Sequence, residues 1–178
     1  GYHPVVIPAA VRYELAHGES HTFQLPEDLF PRFLHQLAVM KLHLNGSRHN
    51  AAVLQTADLP YLILYRDLRD AAVSYVHYAA RTPWHPDFEV YRGLTLRERL
   101  ISFGRVHLAG YADWIRSWEE NRDPALSLVV RYEDLLEDTL GVFRTACGHL
   151  GVSASPGVLE DIVEDHSFDW SFIDLPDG

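Results

Sequence analysis

Leu59-Pro60-Tyr61-Leu62-Ile63-Leu64-Tyr65-Arg66-Asp67-Leu68-Arg69-Asp70-Ala71-Ala72-Val73-Ser74-Tyr75-Val76-His77-Tyr78 starts as an apolar run of strand length, turns abruptly into charge, and continues as a helical pattern. Tyr61 to Tyr65 reads as a central strand. Ala71, Ala72 and Val73 open the first wall of a helix predicted to reach about Ala80. A strand that ends in Arg and feeds straight into a helix carrying Ser is one way to build an anion site. The helix N-terminus offers free N–H groups and a partial positive charge. Arg66 adds a two-pronged grip suited to phosphate. Ser74 lies eight residues beyond Arg66, roughly two helical turns, so its hydroxyl can face the same side. The plain structural alternative is a core strand followed by an amphipathic helix with surface ion pairs.

Outward from this segment, strands and helices alternate. Pro26-Glu27-Asp28 reads as a helix start with Leu29, Phe30, Phe33 and Leu34 on its apolar face. Leu37 to Leu44 reads as a strand and Ser47 to Thr56 as a helix. Two prolines close together make Thr82-Pro83-Trp84-His85-Pro86 a loop. Thr95 to about Asn121 is one long helical region, with candidate breaks near Gly104 or Gly110. Leu126 to Val130 is a strand of the buried, all-apolar type. Thr139 to His149 is a helix closed by Gly151, a natural left-handed cap, and Pro156 to Glu164 opens the last helix. This alternation predicts an α/β chain, a parallel sheet flanked by helices. Ligands in such sheets sit beyond the carboxyl ends of the strands. Lys41 with His43, Arg66 and Tyr132 all fall at or near such ends. Trp84, Trp114 and Trp118 read first as core aromatics.

The 178 residues suffice for one domain with a real core, and 47% hydrophobic with 22% charged residues is ordinary for a globular chain. The net charge of −10 disfavours broad binding to nucleic acid or to an anionic membrane, so any nucleotide site must be locally basic. Lys41, Arg66 and Arg69 can supply that charge. No apolar run reaches membrane-spanning length, and Gly1-Tyr2-His3-Pro4 does not read as a secretory signal. A single cysteine, Cys147, rules out an internal disulfide framework, and its expected place is the apolar face of a helix. These features point to the cytoplasm. The eleven histidines are scattered without metal-ligand spacing, so no metal is expected.

The Arg66-Asp67-Leu68-Arg69-Asp70 string with Ser74 and Tyr75 resembles the 3′-phosphate-binding motif of the sulfotransferases that use 3′-phosphoadenosine 5′-phosphosulfate (PAPS). Met40-Lys41-Leu42-His43-Leu44 resembles that family's Lys-x-His-Leu strand. Leu128 to Leu135, with Tyr132-Glu133-Asp134-Leu135, resembles its Tyr-Glu-Asp-Leu strand end. Gly110-Tyr111-x-x-Trp114-x-x-x-Trp118 and Glu164-Asp165-His166-Ser167-Phe168 continue the likeness, which covers about Ala38 to Phe168. The resemblance implies a P-loop NTPase-like fold and sulfuryl transfer from PAPS as co-substrate to an acceptor hydroxyl or amine. It implies His43 as general base, Lys41 beside it on the strand face, Arg66 and Ser74 on the 3′-phosphate, and Tyr132 near the adenine. A strand histidine with satisfied hydrogen bonds and a rim tyrosine are the structural alternatives for His43 and Tyr132. A likeness of Tyr65-Arg66-Asp67 to the protein-kinase catalytic loop fails, because Ala72 stands where that loop needs a metal-binding Asn.

Two family features are missing. No Gly- and Lys/Ser/Thr-rich phosphate loop precedes Lys41, and no Arg-Lys-Gly follows Phe168. The expectation is therefore one incomplete sulfotransferase-like domain over residues 1–178, a fragment or a degenerate relative. By itself it should be a poor catalyst, and its sheet should leave an apolar face uncovered. The second reading is a non-catalytic nucleotide-binding or interaction domain on the same fold.

Overall fold

The apolar run forms strand β1, Tyr61–Tyr65, and it lies parallel to β2, Ser127–Arg131, in a sheet that has two strands among the described residues. The register pairs Tyr61 with Ser127, Ile63 with Val129 and Tyr65 with Arg131. The structure is a computed structural model and describes residues 24–30 and 43–166. Before β1 comes α1, Arg48–Thr56. Between the strands run α2 (Leu68–Arg81), α3 (Phe88–Tyr91), α4 (Leu96–Val106) and α5 (Leu108–Asn121). After β2 follow α6 (Tyr132–Glu137), α7 (Thr139–His149) and α8 (Pro156–Asp165). This is the α/β arrangement of a parallel sheet flanked by helices.

Local chemistry sets the helix ends. Ser47, Asp67, Thr95, Asp138 and Ser155 each accept an N–H of the following first turn, and Thr95 with Glu98 completes a reciprocal capping box. Gly151 (φ +68°) closes α7, with Val152 N–H donating to Cys147 O at 2.8 Å and Gly151 N–H to Gly148 O at 3.1 Å.

The two faces of the sheet differ. Ile63 and Val129 point to a core of Leu25, Leu29, Leu44, Val53, Leu54 and Trp118. Side chains alternate along a strand, so Leu62, Leu64, Leu128 and Val130 point the other way. There α7 covers β2 in part, while Leu62 and Leu64 stay 40% and 54% exposed. A second cluster, Val76, Ala79, Tyr91 and Phe103, joins α2 to α3 and α4.

Several expectations need correction. The helical stretch from Thr95 breaks at His107, neither at Gly104 nor at Gly110. His107 joins the two helices, and its Nε2 lies 3.0 Å from Asp87 Oδ2, which also accepts the Tyr75 hydroxyl. The short helix α3 was not expected. Trp84 is 82% exposed and not core, whereas Trp118 is buried. Cys147 is half-buried. The expected strand from Leu37 and the helix after Pro26 fall mostly outside the described residues. Of these, His43 and Leu44 carry no strand pairing, and Pro26 O accepts Leu29 N–H in a single turn.

Candidate functional site

Both strands turn into helices at the same edge of the sheet. Arg66 directly follows β1, Tyr132 directly follows β2, and the last ladder pair is Tyr65 with Arg131. The Arg66 Cζ stands 5.0 Å from the centroid of the Tyr132 ring. This is cation–π distance. The parallel register therefore brings together two of the five expected site residues. Tyr132 is the first residue of α6, directly after the end of β2 at Arg131, as the expected strand end near Val130 places it. Arg66 Nε is buried and has no hydrogen-bond partner among the described residues. A buried donor left unpaired is costly and points to a missing acceptor.

The charges beside Arg66 are largely used up. Asp67 takes the Arg69 guanidinium with both oxygens, Nε to Oδ1 at 2.9 Å and a terminal nitrogen to Oδ2 at 2.6 Å. Hydrogen bonds from the Arg69 side chain, and then from its backbone, hold the Asp67 carboxyl well below the usual range. The same pairing pushes the Arg69 pKa up. Arg69 is highly exposed, so this is a solvated surface pair.

The start of α2 differs from expectation at two of its N–H groups. Its N–H groups were expected to be open to an anion. Instead Asp67 N–H donates to Glu133 Oε1 at 2.7 Å, and Arg69 N–H donates to Asp67 Oδ1 at 2.8 Å. That Asp67 N–H is the largest cause of a Glu133 pKa held below its ordinary value. Glu133 was quoted in the sequence motif without a role. An acid directly after the strand-end tyrosine was the only signal for it.

Ser74 lies on the exposed side of α2, two turns from its start. His43 is exposed, and Lys41 lies outside the described residues. The residue after His43 is fixed firmly. Leu44 O accepts the indole N–H of Trp114 at 2.7 Å and of Trp118 at 2.9 Å. Gly46 N–H donates to Ser117 Oγ and Asn121 Nδ2 to Gly46 O, each at 2.9 Å.

An open groove of about 450 Å³ lies elsewhere, between β2 and α7, lined by Leu128, Val130, Asp134, Asp138 and Arg144 among others. None of Arg66, Ser74, Tyr132 and His43 lines it. Among the described residues no group of acids, histidines and cysteine could hold a metal ion. No described helix is long and apolar enough to cross a membrane.

Comparison with known proteins adds the family. A model of the sulfotransferase domain matches residues 17–170. Luciferin sulfotransferase of Photinus pyralis is 28% identical over 134 residues, 73% of this chain and 34% of that protein. Sulfotransferase 1C2 of Homo sapiens is 28% identical over 111 residues, 61% of this chain and 36% of that protein. The crystal structure of mouse sulfotransferase SULT7A1 complexed with PAP matches with a TM-score of 0.63 at 22% identity, over 77% of this chain and 48% of that one. That likeness is one of fold. The chain spans about a third of the length of these curated relatives. With the domain model running over most of its residues and the fold agreeing, this chain belongs to the sulfotransferase family.

Proposed function

We propose that the intact protein transfers a sulfuryl group from PAPS to an acceptor hydroxyl, and that this chain supplies the 3′-phosphate grip and the base. One observation carries the reading: Arg66 stands past the end of a parallel strand, next to Tyr132, with a buried Nε that lacks an acceptor. A phosphate oxygen is a fitting acceptor for such a guanidinium. Family membership and the PAP held by the mouse relative support the choice of anion. Ser74 is the second proposed contact to that phosphate, and Tyr132 borders the adenine.

In the reaction the acceptor oxygen attacks sulfur, and a new O–S bond forms. The bond from sulfur to the 5′-phosphate oxygen breaks, and PAP leaves with the electron pair. The acceptor proton passes to the imidazole of His43, a base suited to neutral pH. Lys41 meets charge on the transferring oxygens. Most of the help is positioning and charge neutralisation. The two indole bonds on Leu44 O serve the first of these, since they mount His43 on a fixed segment. A cytoplasmic site of action and a small-molecule or glycan acceptor complete the reading.

The test uses the intact protein, labelled PAPS and a panel of phenols, alcohols, sugars and peptides, with PAP binding by calorimetry. Arg66→Ala should weaken PAP binding by about 1–3 kcal/mol. His43→Ala should lower turnover far more than affinity. Unchanged PAP affinity in a folded Arg66→Ala protein removes Arg66 from the site. Tight PAP binding without turnover on any acceptor favours the non-catalytic nucleotide-binding reading.

A further inference from the structure

We infer that Glu133 is a positioning residue for the Arg66 anion site, a tie between the two strand ends that sets where the guanidinium stands. The inference rests on the proposed nucleotide site. Beyond the last ladder pair, Tyr65 with Arg131, the sheet no longer fixes Arg66 against Tyr132. The Glu133 carboxylate takes over at that point. It reaches from the second residue of α6 to the backbone N–H of Asp67, the residue after Arg66, at 2.7 Å across 66 positions of sequence. A carboxylate on an amide N–H is among the stronger hydrogen bonds a protein makes. The Arg66 guanidinium rests 5.0 Å from the Tyr132 ring that this bond holds in line.

The charge pattern argues against a purely electrostatic role. Glu133 and Asp67 are both acidic and adjoin a site meant for an anion. Asp67 is neutralised by Arg69. Glu133 Oε2 is buried without a hydrogen bond and has only Arg131, 3.6 Å away. A negative charge in that place repels phosphate. If Glu133 acted through charge alone, its removal would tighten anion binding. If it acts by holding the Arg66 backbone, its removal loosens binding although a repulsive charge has gone. The two roles predict opposite signs.

The experiment measures PAP affinity by calorimetry on the intact protein with Glu133→Gln, Glu133→Ala, Glu133→Asp, Arg66→Ala and the double variant Glu133→Ala/Arg66→Ala. Glutamine keeps an acceptor at the same reach without the charge, and affinity should stay within about threefold. Alanine removes the tie and should weaken binding about tenfold, the size of one lost charge-assisted bond. Aspartate keeps the charge but falls one methylene short. It should behave like alanine, which keeps the test decisive if the alanine variant does not fold. On the Arg66→Ala background, Glu133→Ala should add less than about twofold, because a residue acting through Arg66 has nothing left to position. Wild-type or tighter affinity in both the alanine and aspartate variants overturns the inference. So does a full additional loss on the Arg66→Ala background. If Arg66→Ala itself leaves PAP affinity unchanged, the nucleotide-site reading fails and the inference falls with it.

Discussion

Gly46→Ala should loosen the close approach between the segment Leu44 to Gly46 and α5. A Cβ built on Gly46 lies 2.5 Å from Trp118 N, 2.6 Å from Trp118 Cα and 2.7 Å from Ser117 C. All three are backbone atoms of α5, so no flexible side chain can swing aside. Ordinary contact begins at 3.4 Å, and the segment must therefore back away by about 0.9 Å. Four hydrogen bonds of 2.7–2.9 Å join that segment to α5: two indoles on Leu44 O, Gly46 N–H on Ser117 Oγ, and Asn121 Nδ2 on Gly46 O. Stretched by 0.9 Å, each passes the distance at which it counts as a bond. At roughly 0.5–1.5 kcal/mol apiece, with partial relaxation, the loss is about 3 kcal/mol. For a domain of this size that is a fall of about 6–12 °C in melting temperature. Gly93→Ala is the matched control, since nothing lies within 4 Å of its Cβ position. Differential scanning calorimetry on both variants reads the difference. A Gly46→Ala protein melting within about 2 °C of wild type would refute the close-approach argument.

Gly151→Ala should cost about 1–2 kcal/mol, because φ of +68° is strained for any residue with a Cβ; equal urea midpoints for variant and wild type would count against it. Stability should drop in acid. The carboxyls of Asp67, Glu98 and Glu133 are all depressed by hydrogen bonds to Arg69, Thr95 and the Asp67 N–H respectively. Their contribution is therefore present above their unfolded values and lost as pH falls through the folded ones. Urea midpoints at neutral pH and near pH 3 check this, and Glu98→Gln should flatten part of the slope. The Tyr75 phenol is held well above its usual range, first by burial and then by its bond to Asp87. Its neutral form thus stabilises the fold below pH 10 and that contribution is lost at higher pH. Burial also pushes the Tyr91 and Tyr111 phenols up, so ultraviolet titration should show fewer phenols ionising near pH 10 than in the urea-unfolded chain, and Tyr75→Phe should reduce that difference by one.

What the sequence revealed and what it hid divide along the distance over which each cause acts. Gly151 was legible as a cap because a glycine after a helical run answers a local need for positive φ. The strand Tyr61–Tyr65 and its helix were legible because the period changes abruptly at Arg66. The break at His107 was not, and the partner its side chain meets there is Asp87, twenty positions away in another loop. The rule that places aromatics at helical spacing in the core misleads for Trp84, because which way a Pro-flanked loop turns its aromatic depends on the packing around it. The partner of the Asp67 N–H at the start of α2 was hidden for a similar reason. The acceptor that takes its N–H is Glu133, 66 positions along the chain. Of the site, the juxtaposition of Arg66 and Tyr132 followed from strand order, while Ser74 on the outer side of α2 and His43 carry their roles as proposals.

The carbonyl of Leu44 is saturated: both of its lone pairs hold a tryptophan. Few backbone oxygens are so directly wired to chromophores. Any displacement of the segment next to His43 must break one or both indole bonds and let water reach the rings, which shifts their emission to longer wavelength. With Trp84→Phe and Trp170→Phe to clear the background, Trp114 and Trp118 become a built-in optical gauge for the segment that carries His43, readable in stopped flow without a label.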